Sequence, residues 1–452
     1  MHAHRLALRT PVLIVGLGKT GLSCARFLAE YDIDFTVVDS RQRPPGLDDL
    51  KRILPKAQLV TGEFEADLFA QAQTLIVSPG LSVHEPLIAA ARARGAEVIG
   101  DIELFARVAE APVVAITGSN GKSTVTTLVG DMARRAGKAV RIGGNVGVPV
   151  LELLDDADVD LYVLELSSFQ LETTFSLNAR AAAILNISED HMDRYDSLDD
   201  YARAKAQVFH GDGAVIANLD DARVMSIVDG VENKRPHLCF SLNLPFEENY
   251  GFAQRAGEAW LCKGHKLLIT ANELGIKGLH NVANALAALA LGEAVGLPLP
   301  AMLETLRTCK GLPHRMEWLG EANGVNWFND SKATNVGAAM AAIQGVPAER
   351  VILLAGGQGK GQDFTPLHKP MAQRVRLVIL FGEAAQQIAA VVPNETEIVF
   401  VEDMPAAVRV AAAKAESGDA VLLSPACASF DMFSGYEQRG DVFRQAVQEL
   451  VL

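Results

Sequence analysis

Two glycine-rich segments carry the first chemistry in this chain. Gly16-Leu17-Gly18-Lys19-Thr20-Gly21 is a complete G-x-G-x-x-G. It follows the apolar run Val12–Val15 and precedes a second apolar run that ends at Asp39. Glycines at this spacing let backbone approach a pyrophosphate held at a helix N-terminus. The pattern asks only for a diphosphate near the turn. NAD and a UDP-sugar both supply one, and a purely structural tight turn is the alternative. The second segment is Thr117-Gly118-Ser119-Asn120-Gly121-Lys122-Ser123-Thr124. It resembles a P-loop, with N–H groups exposed to phosphate, Lys122 reaching the terminal phosphates and a hydroxyl for Mg²⁺. The strict pattern would put a glycine at Ile116, but the order of strand, loop and helix is right. The sequence has no Asn-Lys-x-Asp guanine motif, which favours ATP over GTP.

Candidate metal ligands follow the P-loop. Glu165 closes the apolar run Leu161–Leu164, and His191 lies just beyond Ala181–Leu185. Strand ends next to a P-loop are where a Mg²⁺ ligand belongs, although Mg²⁺ prefers oxygen to imidazole. Glu189, Asp190 and Asp193 beside His191 read equally well as solvated charge and receive no role. Lys205, taken alone, reads as a lysine on a helix surface. In the last third, Gly356-Gly357-Gln358-Gly359-Lys360 and Ser424-Pro425-Ala426-Cys427-Ala428-Ser429-Phe430 each follow an apolar run. Lys360 on a glycine-rich loop suits one carboxylate, and Ser429 with nearby N–H groups suits another. Ordinary loops remain the alternative for each.

These residues need elements to hold them. Apolar runs, glycine turns and helical patterns alternate throughout, which predicts open, mostly parallel sheets with helices on both faces. A first unit runs to about Asp101, a second begins at Val113, and a third begins near Gly311-Leu312-Pro313. Helices are expected at Leu22–Tyr31, Ser123–Ala136, Asn281–Leu291 and Asp441–Leu452, and short strands with turns over residues 236–272. The 452 residues suit three α/β domains. The net charge of −14 disfavours general binding to nucleic acid or anionic membrane. No apolar run reaches the ~18 residues of a membrane helix. Met1-His2-Ala3-His4-Arg5 leads straight into a strand, so no secretory signal is expected. Five scattered cysteines without a CxxC argue against a disulfide framework or structural zinc and fit the cytoplasm.

Four landmarks in combination resemble the Mur ligases, ATP-dependent amide ligases of peptidoglycan precursor synthesis, and their relative folylpolyglutamate synthase. They are the segment 117–124, Asp-His-Met-Asp at 190–193, Leu-Pro-His-Arg at 312–315 and Asn-Asp-Ser-Lys-Ala-Thr-Asn at 329–335. The N-terminal Gly-Leu-Gly-Lys-Thr-Gly-Leu-Ser and the C-terminal Ser-Pro-Ala-Cys-Ala-Ser-Phe-Asp-Met-Phe with Glu-Gln-Arg-Gly look most like the members that add D-glutamate. The resemblance covers the whole chain.

It implies a Rossmann-like UDP-binding domain over residues 1–101, a central P-loop ATPase-like parallel-sheet domain over 102–311 and a Rossmann-like D-glutamate domain over 312–452. It implies ATP on Gly118, Ser119, Asn120, Gly121, Lys122, Ser123 and Thr124, with Asn281 and Asn284 at the adenine and Arg315, Asp330 and Lys332 from the last domain. UDP-N-acetylmuramoyl-L-alanine would meet Gly18, Lys19, Thr20, Asp39, Gly80, Asn145, Ser167 and Gln170. D-Glutamate would meet Thr334, Lys360, Ser429 and Phe430. Mg²⁺ would lie among Ser123, Glu165, His191 and a Lys205 carbamylated by CO₂, with Lys122, His191 and Lys205 as the catalytic set. The implied enzyme is a cytoplasmic monomer serving cell-wall biogenesis, cell shape and cell division. A nicotinamide oxidoreductase, a P-loop ATPase switch and a family ligase for another amino acid or for folate are the competing readings. The first leaves the P-loop and the last domain unexplained, and the second predicts ATP hydrolysis without any amino-acid dependence.

Overall fold

Strands buried along their whole length, such as Val12–Val15 and Thr74–Val77, are those of parallel sheets covered on both faces. The computed structural model describes residues 6–155, 158–231, 235, 237–245 and 247–450. Met1 to Arg5 and the last two residues of the expected C-terminal helix lie outside the described residues.

The first sheet is parallel. Its strands are β1 (Val12–Val15), β2 (Phe35–Asp39), β3 (Gln58–Thr61), β4 (Thr74–Val77) and β5 (Glu97–Ile99), in the order β3-β2-β1-β4-β5. The order reverses between β1 and β4, so the loops after them open a crevice. The expected helix at Leu22 starts earlier, at Lys19, inside the glycine motif. Gly21 explains this: a Cβ there would stand 1.9 Å from the Gly16 carbonyl oxygen. Only glycine lets the first helical turn rest on the strand end.

The second sheet has nine strands. They are β6 (Val113–Thr117), β7 (Val140–Gly144), β8 (Leu161–Glu165), β9 (Ala181–Ile184), β10 (Ala214–Asn218), β11 (His237–Phe240), β12 (Tyr250–Arg255), β13 (Glu258–Lys263) and β14 (Lys266–Thr270). Their order is β14-β13-β12-β11-β10-β9-β6-β8-β7. From β7 to β12 every pairing is parallel, whereas β12, β13 and β14 form an antiparallel meander. The sheet is thus mostly parallel, as expected, and the short strands expected over residues 236–272 form its antiparallel edge. Two-residue turns at Gly257 and Gly264, both at positive φ, can join only antiparallel neighbours.

The third sheet comprises β15 (Glu317–Ala322), β16 (Val325–Asn329), β17 (Arg350–Gly356), β18 (Val375–Phe381), β19 (Glu397–Phe400) and β20 (Asp419–Leu423), in the order β15-β16-β20-β17-β18-β19. Only β15 is antiparallel. The C-terminal helix begins at Tyr436 rather than Asp441. Gly440 sits inside it because a Cβ there would stand 2.2 Å from His314 Nδ1.

One apolar core runs from the first sheet into the second, through Ile14, Ile102, Phe105, Tyr162 and Leu164. The helix Asp101–Val108 lies between the sheets, and the Phe105 ring meets Tyr162 edge-on with centroids 5.0 Å apart. The third sheet has its own cores, one on each face. Its contacts with the second include polar pairs: Arg315 with Ser123, Asn335 with Asn120, and Lys360 with Asp190. No helix among the described residues is long and apolar enough to cross a membrane, and all five cysteines are free.

Candidate active site

The P-loop leaves β6 at Thr117 and enters the helix Lys122–Arg135. Gly118 (φ +148°) and Gly121 (φ +85°) take backbone angles that favour glycine, and a Cβ on Gly121 would stand 2.4 Å from Asn284 Oδ1. Lys122 folds back over the loop, donating to the carbonyls of Gly118 (2.8 Å) and Ser119 (2.9 Å). Burial lowers its pKa. Ser119 Oγ donates to the Ser188 carbonyl at 2.9 Å. Asn186, which the sequence reading passed over, clamps Asn120: its Oδ1 accepts from Asn120 N–H (2.8 Å) and its Nδ2 donates to the Asn120 carbonyl (3.1 Å).

Glu165 ends β8, the neighbour of β6, and is buried. Its Oε1 accepts from Asn145 Nδ2 at 2.9 Å, while its Oε2 is buried without a hydrogen-bond partner among the described residues. A partnerless carboxylate oxygen at a strand end beside a P-loop fits a divalent cation. His191 stands at φ +58° with its ring 4.9 Å from that of Phe169, and burial lowers its pKa. Lys205 is not the surface lysine its sequence suggests. It is 1% exposed, 3.1 Å from the Gly118 carbonyl, with its Nζ 4.5 Å above the Tyr201 ring. Burial, then the neighbouring Lys122 cation, hold its pKa well below the ordinary lysine value. Among the described residues, no three His, Cys, Asp or Glu side chains converge as a ready metal site. A cation set here therefore needs the Ser123 hydroxyl or a modified Lys205 as well.

Asp190 also departs from expectation. Glu189 and Asp193 are exposed, but Asp190 is buried. Its Oδ1 accepts from Lys360 Nζ at 2.7 Å and its Oδ2 from Asn335 Nδ2 at 3.1 Å. Despite burial, the Lys360 and His191 charges hold its pKa below the usual carboxylate value.

A cavity of about 310 Å³ lies beside the P-loop, between the second and third domains. Asn218, Phe240, Asn281 and Asn284 line one side, and Gly337, Ala338 and Ala341 the other. Thr124 lines it too, and Arg315, Asp330 and Lys332 are on its wall. Arg315 Nη2 donates to Ser123 Oγ at 2.8 Å. Asp330 accepts from Met316 N–H and Ser424 Oγ, and burial raises its pKa to about 7. Lys332 Nζ is 2.9 Å from the Tyr436 hydroxyl, and burial lowers its pKa to about 8.

In the third domain, the β17 loop bearing Lys360 and the β20 loop bearing Ser429 are joined by paired hydrogen bonds between Gln358 and Ala428. Ser429 is buried, Thr334 half-buried and Phe430 exposed. Arg439 belongs to the Glu-Gln-Arg-Gly landmark of the last domain. It is fully buried and ties Ser331 to the Cys427 and Ala428 carbonyls.

In the first domain, Gly18, Lys19 and Thr20 open the helix at the crevice, with Gly80 exposed on the facing loop. Asp39 lies beneath the turn rather than at its mouth. It accepts from Leu17 N–H (2.7 Å) and pairs with Arg41 (2.7 Å). Ser167 and Gln170 form a capping box at the start of the helix Ser168–Leu171. Arg194 joins the two domains, lying 4.2 Å over the Phe169 ring and donating to the Pro79 carbonyl at 3.0 Å.

Three family models match successive parts of the chain. Residues 10–100 match the Mur ligase MurD-like N-terminal domain, 116–292 the Mur ligase middle domain and 314–427 the Mur ligase glutamate ligase domain. The UDP-N-acetylmuramoylalanine–D-glutamate ligase of Nitrosococcus oceani is 57% identical over 440 residues, covering 97% of this chain and 96% of that protein. The protein of the same name from Pseudomonas aeruginosa is 51% identical, covering 97% and 98%. Among solved structures, the MurF ligase of Thermotoga maritima in complex with ADP superposes with a TM-score of 0.62 at 15% identity, covering 99% and 97%. A pseudomurein peptide ligase type C from Methanothermus fervidus gives 0.61 at 19%, covering 97% and 99%. At these identities the two structures speak to the fold.

Proposed function

This chain belongs to the Mur ligase family, and from that premise we propose how it works as the ADP-forming ligase that joins D-glutamate to UDP-N-acetylmuramoyl-L-alanine. The full-length likeness to ligases of that name carries the choice of substrates. For the chemistry, one observation carries the reading. Glu165 keeps a buried, partnerless oxygen beside the P-loop, while Arg315 and Lys360 of the third domain reach the same face.

We assign residues 1–101 to the nucleotide-sugar, 102–311 to ATP and 312–452 to D-glutamate. Gly18, Lys19, Thr20 and Gly80 would receive the UDP group, with Asp39 as the support of the turn. Asn145, Ser167 and Gln170 would face the muramoyl side. Adenine would enter the cavity at Asn281 and Asn284, with its phosphates on residues 118–124 and on Arg315, Asp330 and Lys332. Thr334, Lys360, Ser429 and Phe430 would hold D-glutamate. Glu165, His191, Ser123 and Lys205 would hold Mg²⁺, and Mg²⁺ when bound would neutralise charge on the transferring phosphoryl group. Carbamylation needs a neutral amine, and burial favours that form of Lys205. The carbamate anion would then stand beside the Lys122 cation.

A carboxylate and an amine do not condense unaided in water. The L-alanyl carboxylate attacks the γ-phosphate in line, forming an acyl phosphate and releasing ADP. The D-glutamate amine then attacks the acyl carbon, losing a proton, and phosphate leaves from the tetrahedral intermediate. Lys122 and Arg315 stabilise the negative charge that builds on the phosphoryl oxygens. Asp190 and Lys360 set where the amino acid stands. Holding three reactants in place supplies on the order of 7–11 kcal/mol of the barrier. Closure of the third domain keeps water from the acyl phosphate. The setting is a cytoplasmic monomer acting in cell-wall synthesis, cell shape and division.

Phosphate release from Mg·ATP with UDP-N-acetylmuramoyl-L-alanine tests this reading, with D-glutamate, L-glutamate, L-lysine or no amino acid. Release requiring both the nucleotide-sugar and D-glutamate is expected. Release indifferent to D-glutamate would overturn it.

A further inference from the structure

Asn335 uses every hydrogen-bonding position of its amide, and the partners lie in different parts of the site. Its Oδ1 accepts from Ala338 N–H at 2.8 Å, capping the helix Val336–Gly345, and from Asn120 Nδ2 at 3.3 Å. Its Nδ2 donates to Asn120 Oδ1 at 3.2 Å and to Asp190 Oδ2 at 3.1 Å. An amide offers two donors and two acceptor positions, so none is left over. The side chain is 2% exposed, a setting where geometry is fixed and mismatches are costly.

The contacts continue beyond it on both sides. Asn120 is clamped by Asn186 through its own N–H and carbonyl. Asp190 holds Lys360 through its other oxygen. The order Asn186, Asn120, Asn335, Asp190, Lys360 thus runs without a break from the P-loop to a lysine of the amino-acid pocket. The capped helix also supplies Gly337, Ala338 and Ala341 to the nucleotide cavity. Its approach to the P-loop side is close: a Cβ on Gly337 would stand 2.9 Å from Ser188 Oγ and 3.5 Å from Asn120 Nδ2.

We propose that Asn335 is a positioning residue that couples the occupied P-loop to the D-glutamate pocket. The proposal rests on the reading of the third domain given above. ATP phosphates fix Asn120, Asn120 fixes the Asn335 amide, and that amide fixes Asp190 and, through it, Lys360. A helix cap alone needs only the side-chain oxygen, and serine provides one. The coupling needs the two N–H donors, which serine lacks.

Asn335→Ser therefore separates the two roles. The KM for D-glutamate is expected to rise ~10-fold and to stop varying with ATP concentration, as loss of an ordinary coupling would produce. The KM for UDP-N-acetylmuramoyl-L-alanine should stay near that of the unsubstituted enzyme, while the melting temperature falls by a few degrees because Asn120 and Asp190 each lose a buried partner. A D-glutamate KM within about twofold of the unsubstituted value, or an equal rise in both KM values, would overturn the proposal, since typical couplings are larger and specific to the linked sites. Should Asn335→Ser not fold, Asn335→Asp carries the test. It keeps shape and cap but sets a carboxylate against Asp190, and a larger D-glutamate defect is expected. An unsubstituted enzyme indifferent to D-glutamate rejects the functional reading itself, and is seen before any variant is made.

Discussion

Asn145 Nδ2 donates to Glu165 Oε1 at 2.9 Å and leaves Glu165 Oε2 buried with no partner among the described residues. The backbones are joined too, Asn145 N–H to the Glu165 carbonyl at 2.8 Å. One oxygen is thus fixed by the protein and the other kept open, although a buried unsatisfied group costs about 1–3 kcal/mol. Glu165→Gln keeps the acceptor for Asn145 and removes the charge. Phosphate release should fall about 10²- to 10³-fold, as for loss of one electrostatic contact to the transition state. The Mg²⁺ concentration for half-maximal rate should rise, with little change in thermal unfolding. A Mg²⁺ titration of phosphate release checks both rate effects.

Among the described residues, Lys122 Nζ hydrogen-bonds only carbonyls of its own P-loop, at 2.8 and 2.9 Å. The loop is held from elsewhere, by Asn186 and by Ser119 with Ser188. Lys122→Ala should therefore leave the fold in place and lower kcat by ~10³-fold or more, because the transferring phosphoryl group would lose one of the cations proposed to stabilise its charge. Near-normal kcat in a folded variant would remove Lys122 from the chemistry.

Asp330 gives a pH dependence with a definite sign. Its pKa is raised to about 7 by burial. Between the ordinary carboxylate value and about 7 the folded protein binds more protons at this residue than the unfolded chain, so its contribution to stability falls as pH rises through that window. Asp330→Asn cannot ionise. The variant should melt higher than the unsubstituted protein above pH ~7, and the difference should shrink as pH falls toward ~4. Melting curves across that range check the slope, and a difference that grew on acidification would mean that Asp330 is ionised in the fold.

Much of this architecture was legible because parallel strands are apolar on both faces. Val12–Val15 and Leu161–Leu164 could be recognised as strands without knowing their neighbours, and Glu165 followed as a strand-end carboxylate. Helix starts were harder. Lys19 and Tyr436 begin helices ahead of the apolar periodicity, because Gly21 and Gly440 occupy helical positions that only close packing explains. Long-range polar contacts were not legible at all. Nothing local distinguishes buried Asp190 from exposed Glu189 and Asp193, or the Asn335 amide from any helix cap. Lys205 looked like surface by composition and proved buried, because the helix Leu198–Ala206 lays it against the P-loop carbonyls. The resemblance to a ligase family pointed to Lys205 where spacing could not.

Arg439 ties together the two loops that carry the proposed amino-acid pocket. It is fully buried in the C-terminal helix, yet its hydrogen bonds go to two loops of the third sheet. Nε and Nη2 donate to Ser331 Oγ (3.0 Å) and to the Ser331 carbonyl (2.7 Å), after β16. Nη1 donates to the Cys427 carbonyl (3.0 Å), after β20. The same β20 loop pairs with Gln358, two residues before Lys360. A planar guanidinium can serve these directions at once, and a lysine ammonium cannot. Burial lowers its pKa to about 10, which leaves it charged at neutral pH. Arg439→Met should cost ~3 kcal/mol or more, since carbonyls of both loops lose a charged donor inside the protein. Arg439→Lys should cost less but still loosen the loops. In both variants the KM for D-glutamate should rise more than that for the nucleotide-sugar, whose proposed site lies in the first domain. Urea unfolding and the two KM values check this. Equal KM effects would mean that the loops hold their shape without Arg439, and that the helix Tyr436–Leu450 only covers the sheet.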